Sequence, residues 1–173
     1  MFDPRSFTRR QHIQGLAGLL YAATADKASA ANQSVAYGQD TIPAGIRSRF
    51  VDNINGLRMH MLGAGFEGTN RPCVLLLHGF PELAHVWSKV MLPLASAGYH
   101  VIAPDLRGYG RTTGWDPKYD CDLRAFGVLN MVRDVLGLVS ALGYRSVSAV
   151  IGRDAGSALA GWCALLRFSV RWH

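Results

Sequence analysis

The chain has 173 residues, enough for one ordinary domain that buries roughly two-thirds of its unfolded surface. Its net charge of +6 is dispersed: residues 1–30 hold four basic and two acidic residues, leaving fourteen against ten, or +4, for the rest. With no Lys/Arg run and no aromatic-interleaved basic stripe, that charge argues for solubility and against nucleic-acid binding.

Cys73, Cys121 and Cys163 form neither a disulfide framework nor a CxxC metal site, and Cys73 and Cys163 lie in apolar segments where buried thiols are common. At the start of the chain, Thr8-Arg9-Arg10 precedes a small and apolar run from Gly15 to Ala23, and Lys27-Ala28-Ser29-Ala30 offers a small-x-small cleavage site. That order resembles a bacterial twin-arginine export signal over residues 1–30, which implies a periplasmic or secreted protein. A disordered leader, a transit peptide or an ordinary helix on a cytoplasmic protein are the alternatives. The run is too short for a permanent membrane anchor.

Residues 31–47 are polar and turn-rich, as a linker would be. Short β segments at Arg49–Asp52 and Leu57–Leu62, joined by Asn55-Gly56, predict a hairpin. Gly63-Ala64-Gly65-Phe66-Glu67-Gly68 matches the dinucleotide fingerprint GxGxxG, but Asn70-Arg71-Pro72 leads on to a strand instead of the helix that would hold a pyrophosphate, so a hairpin loop is expected. The uninterrupted apolar run Cys73–Leu77 suits a strand buried on both faces.

Leu83–Met91 reads as a helix that Pro93 restarts as a short turn ending at Gly98, and His100–Ala103 as a strand closed by Pro104-Asp105. Helical spacing then runs from Asp122 through Phe126, Leu129, Val132, Val135, Leu136, Val139 and Leu142 to a stop at Gly143. Val147–Ile151 is the last strand, and Ser157–Leu166, uncharged on every face, is expected to be a helix buried nearly all round. This alternation predicts an α/β fold, a parallel sheet with an N-terminal antiparallel hairpin.

The chemistry concentrates after the last strand, in Gly152-Arg153-Asp154-Ala155-Gly156. A nucleophile on a sharp strand-to-helix turn needs very small neighbours two residues before and after it, which Gly152 and Gly156 provide, and Asp tolerates positive φ. A carboxylate nucleophile makes an ester of its own side chain, which suits attack on a saturated carbon bearing a leaving group, as in epoxides and alkyl halides. The alternative is a turn Asp that caps the next helix. His78-Gly79-Phe80-Pro81 leaves the carboxyl end of an earlier strand, so the two turns can converge. The backbone N–H groups of Phe80 and Ala155 are then candidates for an oxyanion hole, Pro81 stiffens the turn but has no N–H to give, and His78 is read as an orienting group in preference to a general base.

Three segments in order, His78-Gly79-Phe80-Pro81-Glu82, the run Pro104-Asp105-Leu106-Arg107-Gly108-Tyr109-Gly110-Arg111, and the turn at Asp154, together resemble the α/β-hydrolase superfamily and, within it, the epoxide hydrolases. The likeness covers about residues 48–167, the N-terminal part of such a domain without its lid and C-terminal strands. It implies that water opens an epoxide through an ester on Asp154, which a His-activated water then hydrolyses. It calls for no cofactor and no metal, and for a small apolar epoxide-type substrate.

The departures are equally informative. Arg153 stands where the family usually has His and Ala155 where it has an aromatic residue, which weakens a haloalkane dehalogenase reading because Ala155 can hold no halide. Arg153 either pairs with Asp154 or points to solvent. Trp87 is expected in the core, and Asp105 as a hydrogen-bonding residue at a strand end. Nineteen residues follow Asp154, none of them Asp or Glu, and His173 is the sole later imidazole. The expectation is a truncated or frame-shifted product with an aberrant tail at 168–173, inactive and poorly soluble. A catalytically dead α/β fragment is the competing reading.

Overall fold

The computed structural model describes residues 36–37, 41–68 and 70–166. The export signal expected at 1–30, residues 31–35 and 38–40 of the expected linker, and the tail at 168–173 lie outside the described residues. Five strands form one sheet: β1 (Ile46–Ile54), β2 (Leu57–Ala64), β3 (Cys73–Leu77), β4 (His100–Pro104) and β5 (Ala149–Gly152). They lie side by side in the order β1-β2-β4-β3-β5. β1 and β2 run antiparallel, as do β2 and β4, while β3 is parallel to both β4 and β5.

The hairpin turns where the sequence requires it, because Asn55 at φ 51° and Gly56 at φ 82° take the two left-handed positions that match the twist of the strands. β1 begins at Ile46, two residues inside the segment read as linker. The glycine-rich segment opens no helix; Gly63 and Ala64 finish β2, and the chain turns into β3.

The two faces of β3 explain its unbroken apolar run. Cys73, Leu75 and Leu77 face one core with Met59, Met61 and Ile102, and Val74 and Leu76 face another with Leu62, Val101 and Ala103. All five residues of β3 are buried, and each of the three leucines contributes about 1.5–3 kcal/mol by leaving water.

Helix α1 (Ser88–Ser96) covers the second face. It runs straight through Pro93, and the expected interruption falls earlier, where the 3₁₀ turn Ala84–Trp87 meets Ser88. Helix α2 (Val128–Ala141) covers the first face through Val132, Val135, Leu138 and Val139. It starts six residues later than the spacing suggests, because a 3₁₀ turn at Leu123–Phe126 and Gly127 precede it. Gly143, at φ 85°, ends it as expected.

Helix α3 (Ala155–Leu165) corrects a sequence expectation. Gly156, Leu159, Ala160 and Cys163 are buried, but Trp162 is 42% exposed and Leu165 79%. An uncharged helix is buried only on the faces that something packs, and the described residues pack one face of α3. β5, at the end of the strand order, starts two residues later than expected, with Val147 already buried ahead of it.

Candidate active site

Parallel strands β3 and β5 end side by side, Leu77 opposite Gly152, and the next residues of each are the two turns singled out above. Asp154 sits at φ 51°, ψ −126°, between the end of β5 and the first turn of α3. A non-glycine residue held there stores about 1–3 kcal/mol of backbone strain, which the surrounding packing must sustain. The glycines on either side make the turn possible. A Cβ on Gly152 would overlap the carbonyl of Gly156, and a Cβ on Gly156 would overlap the carbonyl of Leu77 and stand 2.5 Å from that of His78.

The turns converge on each other. A Cβ on Gly79 would lie 2.5 Å from the Asp154 Cβ and 2.6 Å from the Arg153 carbonyl, so only a bare Cα fits between them. Phe80 follows, joined to Pro81 by a cis peptide bond and 69% exposed. The backbone N–H of Ala155 donates to Asp154 Oδ1. One carboxylate oxygen is thereby held at the head of α3.

His78 is fully buried, and its ring is fixed by two bonds. The Leu106 N–H donates to Nε2 at 3.0 Å, so that nitrogen carries no proton, and Nδ1–H donates to the Gly79 carbonyl at 2.9 Å. With its lone pair engaged the imidazole cannot accept a proton from water; it ties the Gly79 turn to the loop after β4. The Tyr109 ring packs against it edge-on with centroids 5.0 Å apart. A cavity of about 100 Å³ opens beside these groups, lined by His78, Gly79, Leu106, Tyr109, Met131, Ala155 and Leu159 among others, and it is mainly apolar.

Arg153 neither pairs with Asp154 nor stands alone in solvent. Its Nη1 lies 2.7 Å from Glu82 Oε1, bridging the turn of Asp154 to that of Gly79, although its side chain stays 61% exposed. The other oxygen of Glu82 is buried without a hydrogen-bond partner. Glu82 stood in the quoted motif, but its role depends on a contact across 71 residues that the spacing could not disclose. Trp87 is partly buried against the α1 face, and its indole Nε1 lacks a partner.

Two buried polar networks hold the loops around the site. Asp105, the residue after β4, accepts from the backbone N–H of Ala84 and of Arg111 and from His60 Nδ1–H at 2.7 Å. Burial opposes its ionisation, but these bonds outweigh that and hold its carboxyl below the ordinary 3.8. His60 Nε2 meets Ser48 Oγ at 2.7 Å, and the Tyr37 N–H donates to that same oxygen. The Ser-His-Asp order imitates a nucleophile triad, yet it fastens β1 and β2 to the loop that carries Leu106 and Tyr109. Farther along that loop, Arg107 forms a forked pair with buried Asp134 of α2, at 2.8 and 2.7 Å, and Asn55 Nδ2 donates to the same carboxylate.

Residues 72–168 match the family model described as alpha/beta hydrolase fold. Epoxide hydrolase 3 of Siraitia grosvenorii is 40% identical over 115 residues, covering 66% of this chain and 33% of the relative. Epoxide hydrolase A of Mycobacterium tuberculosis is 38% identical over 109 residues, with 63% and 31% covered. The solved structure of potato (Solanum tuberosum) epoxide hydrolase I is 39% identical at a TM-score of 0.62, covering 70% of this chain and 36% of that one. The chain spans about a third of the length of the curated relatives it matches.

Proposed function

The chain belongs to the alpha/beta hydrolase fold family, and from that premise we propose that it carries the nucleophile of an epoxide-opening hydrolase. The observation that carries this is the position of Asp154: a carboxylate at a strained turn, pressed against the Gly79 turn, with one oxygen already held by a backbone N–H and an apolar cavity alongside. The likeness to three epoxide hydrolases at 38–40% identity supports the substrate class.

The held oxygen determines the division of labour. Oδ2 attacks an epoxide carbon, the carbon–oxygen bond of the ring breaks, and its electron pair goes to the departing oxygen, which takes up a proton from water. Oδ1 becomes the ester carbonyl oxygen and is already at the Ala155 N–H. When water adds to that carbonyl carbon, the negative charge develops on the same oxygen, where the N–H groups of Ala155 and Phe80 would stabilise it; one such donor is worth about 10²–10³ in rate. Collapse expels the diol oxygen, which takes one proton of the attacking water, and loss of the other proton to solvent restores the carboxylate. The base for the water step is not His78, whose Nε2 is occupied.

Arg9-Arg10, the run Gly15–Ala23 and Ala28-Ser29-Ala30 support a further proposal, export of the folded protein to the periplasm or beyond. For the reaction, the chain incubated with styrene oxide and quenched in acid is expected to gain the mass of one epoxide, and Asp154→Asn to gain none. An adduct of equal yield on the Asn variant would end the proposal.

A further inference from the structure

At the end of the sheet away from Asp154, two arginines stand over a floor made by a glycine. Arg47 and Arg49 alternate on one face of β1, in register with Gly63 and Met61 of β2. His100 opens β4, at the amino end of the parallel strands, whereas Asp154 follows the carboxyl end of β5. These residues and Phe66 line a cavity of about 270 Å³. Gly63 is what opens it: a Cβ there would sit 3.3 Å from the Met61 methyl and 3.9 Å from His100 Nε2.

Two of the donors around the cavity, Arg47 and His100, are held in place. The Arg47 guanidinium stacks on the Phe66 ring at 3.4 Å from its centroid, which leaves the edge of its planar fork available. His100 Nδ1 is engaged with the Tyr144 hydroxyl at 2.5 Å, so Nε2 is the nitrogen left toward Gly63. Arg71 lies behind the loop and donates to the Ala95 carbonyl. The charges facing His100 are Arg49 and Arg71 against Glu67; burial first, then the two arginines, lower its proton affinity, and Glu67 offsets only part of this. The local field is positive and wants an anion.

We propose that this cavity binds a small phosphate monoester, with the guanidinium forks of Arg47 and Arg49 on the phosphate oxygens, His100 Nε2 as a third contact, and the organic part against Phe66. The forked donors match phosphate geometry. The volume exceeds what a bare ion fills and falls just short of the ~300–1,000 Å³ of drug-sized sites. The GxGxxG segment thus takes part in anion binding by another route: Gly63 makes room, and side chains, not a helix end, supply the donors.

The test is an NMR titration of the isotope-labelled chain with glycerol 3-phosphate and with inorganic phosphate in 0.15 M salt, following the His100 ring and the Gly63 amide. Saturable shifts are expected, tighter for glycerol 3-phosphate, with the His100 titration moved to higher pH in the bound state. Loss of one charged fork in Arg49→Ala should weaken binding about tenfold or more. Gly63→Ala, a fill that meets no backbone closer than 3.9 Å, should weaken it with the amide spectrum otherwise retained. Acetate giving the same shifts at the same concentrations, no saturation, or unchanged binding in Arg49→Ala would each overturn the site.

Discussion

Replacing Gly156 with Ala tests how closely the Asp154 turn depends on bare backbone. The added Cβ would stand 2.5 Å from the His78 carbonyl oxygen and 2.8 Å from the Leu77 carbonyl carbon, both main-chain atoms that no rotamer change can move aside. It would also overlap the Leu77 carbonyl oxygen, and since ordinary contact begins near 3.4 Å, the turn must retreat by about 1 Å from the end of β3. Overpacking of this kind costs about 1–3 kcal/mol, and a misplacement near 1 Å costs about 10²-fold in rate. Urea denaturation should therefore show a lower midpoint at unchanged slope, and adduct formation with styrene oxide should fall about a hundredfold. A Gly156→Ala protein that melts like the parent and labels at the parent rate would refute the tight-turn geometry, because both quantities rest on the same overlap.

Other consequences can be read without the reaction. Asp134→Ala strands the buried Arg107 guanidinium and should cost about 3–5 kcal/mol in urea denaturation, whereas replacing both by apolar residues of like size should recover most of it; a loss under about 1 kcal/mol would show that the pair is solvated. Burial pushes the thiols of Cys73 and Cys163 up to about 12 and about 11, so near neutral pH a disulfide reagent should modify Cys121 first and those two only at the rate of unfolding. Rapid labelling of all three would contradict the packing. Asp105, held below 3.8, binds its proton more weakly folded than unfolded. The stability it lends is complete above 3.8 and is lost as pH falls through its folded value. The stability gap between the parent and Asp105→Asn should accordingly shrink below pH 3.8, and a gap that stays constant would place its effect elsewhere.

Local chemistry was the legible part of this chain. Asn55-Gly56 announces its turn because few residues accept two successive positive φ angles, and the all-apolar β3 announces burial on both faces. The turn at Asp154 declares itself for the same steric reason: the residues it needs lie within two positions. Contacts made at long range were not legible. Asp134 sits on the apolar stripe of α2 where a hydrophobe is expected, and its partners Arg107 and Asn55 lie 27 and 79 residues away. The Glu82–Arg153 bridge and the His60–Asp105 bond are hidden likewise, because each joins residues that only the sheet order brings together. The one-sided burial of α3 is not legible either, since composition tells what a helix tolerates, not what packs on it.

The central claim is that Asp154 is the group that attacks. Incubating the chain with isotopically labelled styrene oxide, quenching in acid, digesting, and sequencing the labelled peptide by tandem mass spectrometry locates the bond directly. The predicted result is a single label on the Asp154 carboxylate, as an ester cleaved by mild base. A label on Glu82, on Asp105, on a cysteine or on any other residue would contradict the assignment.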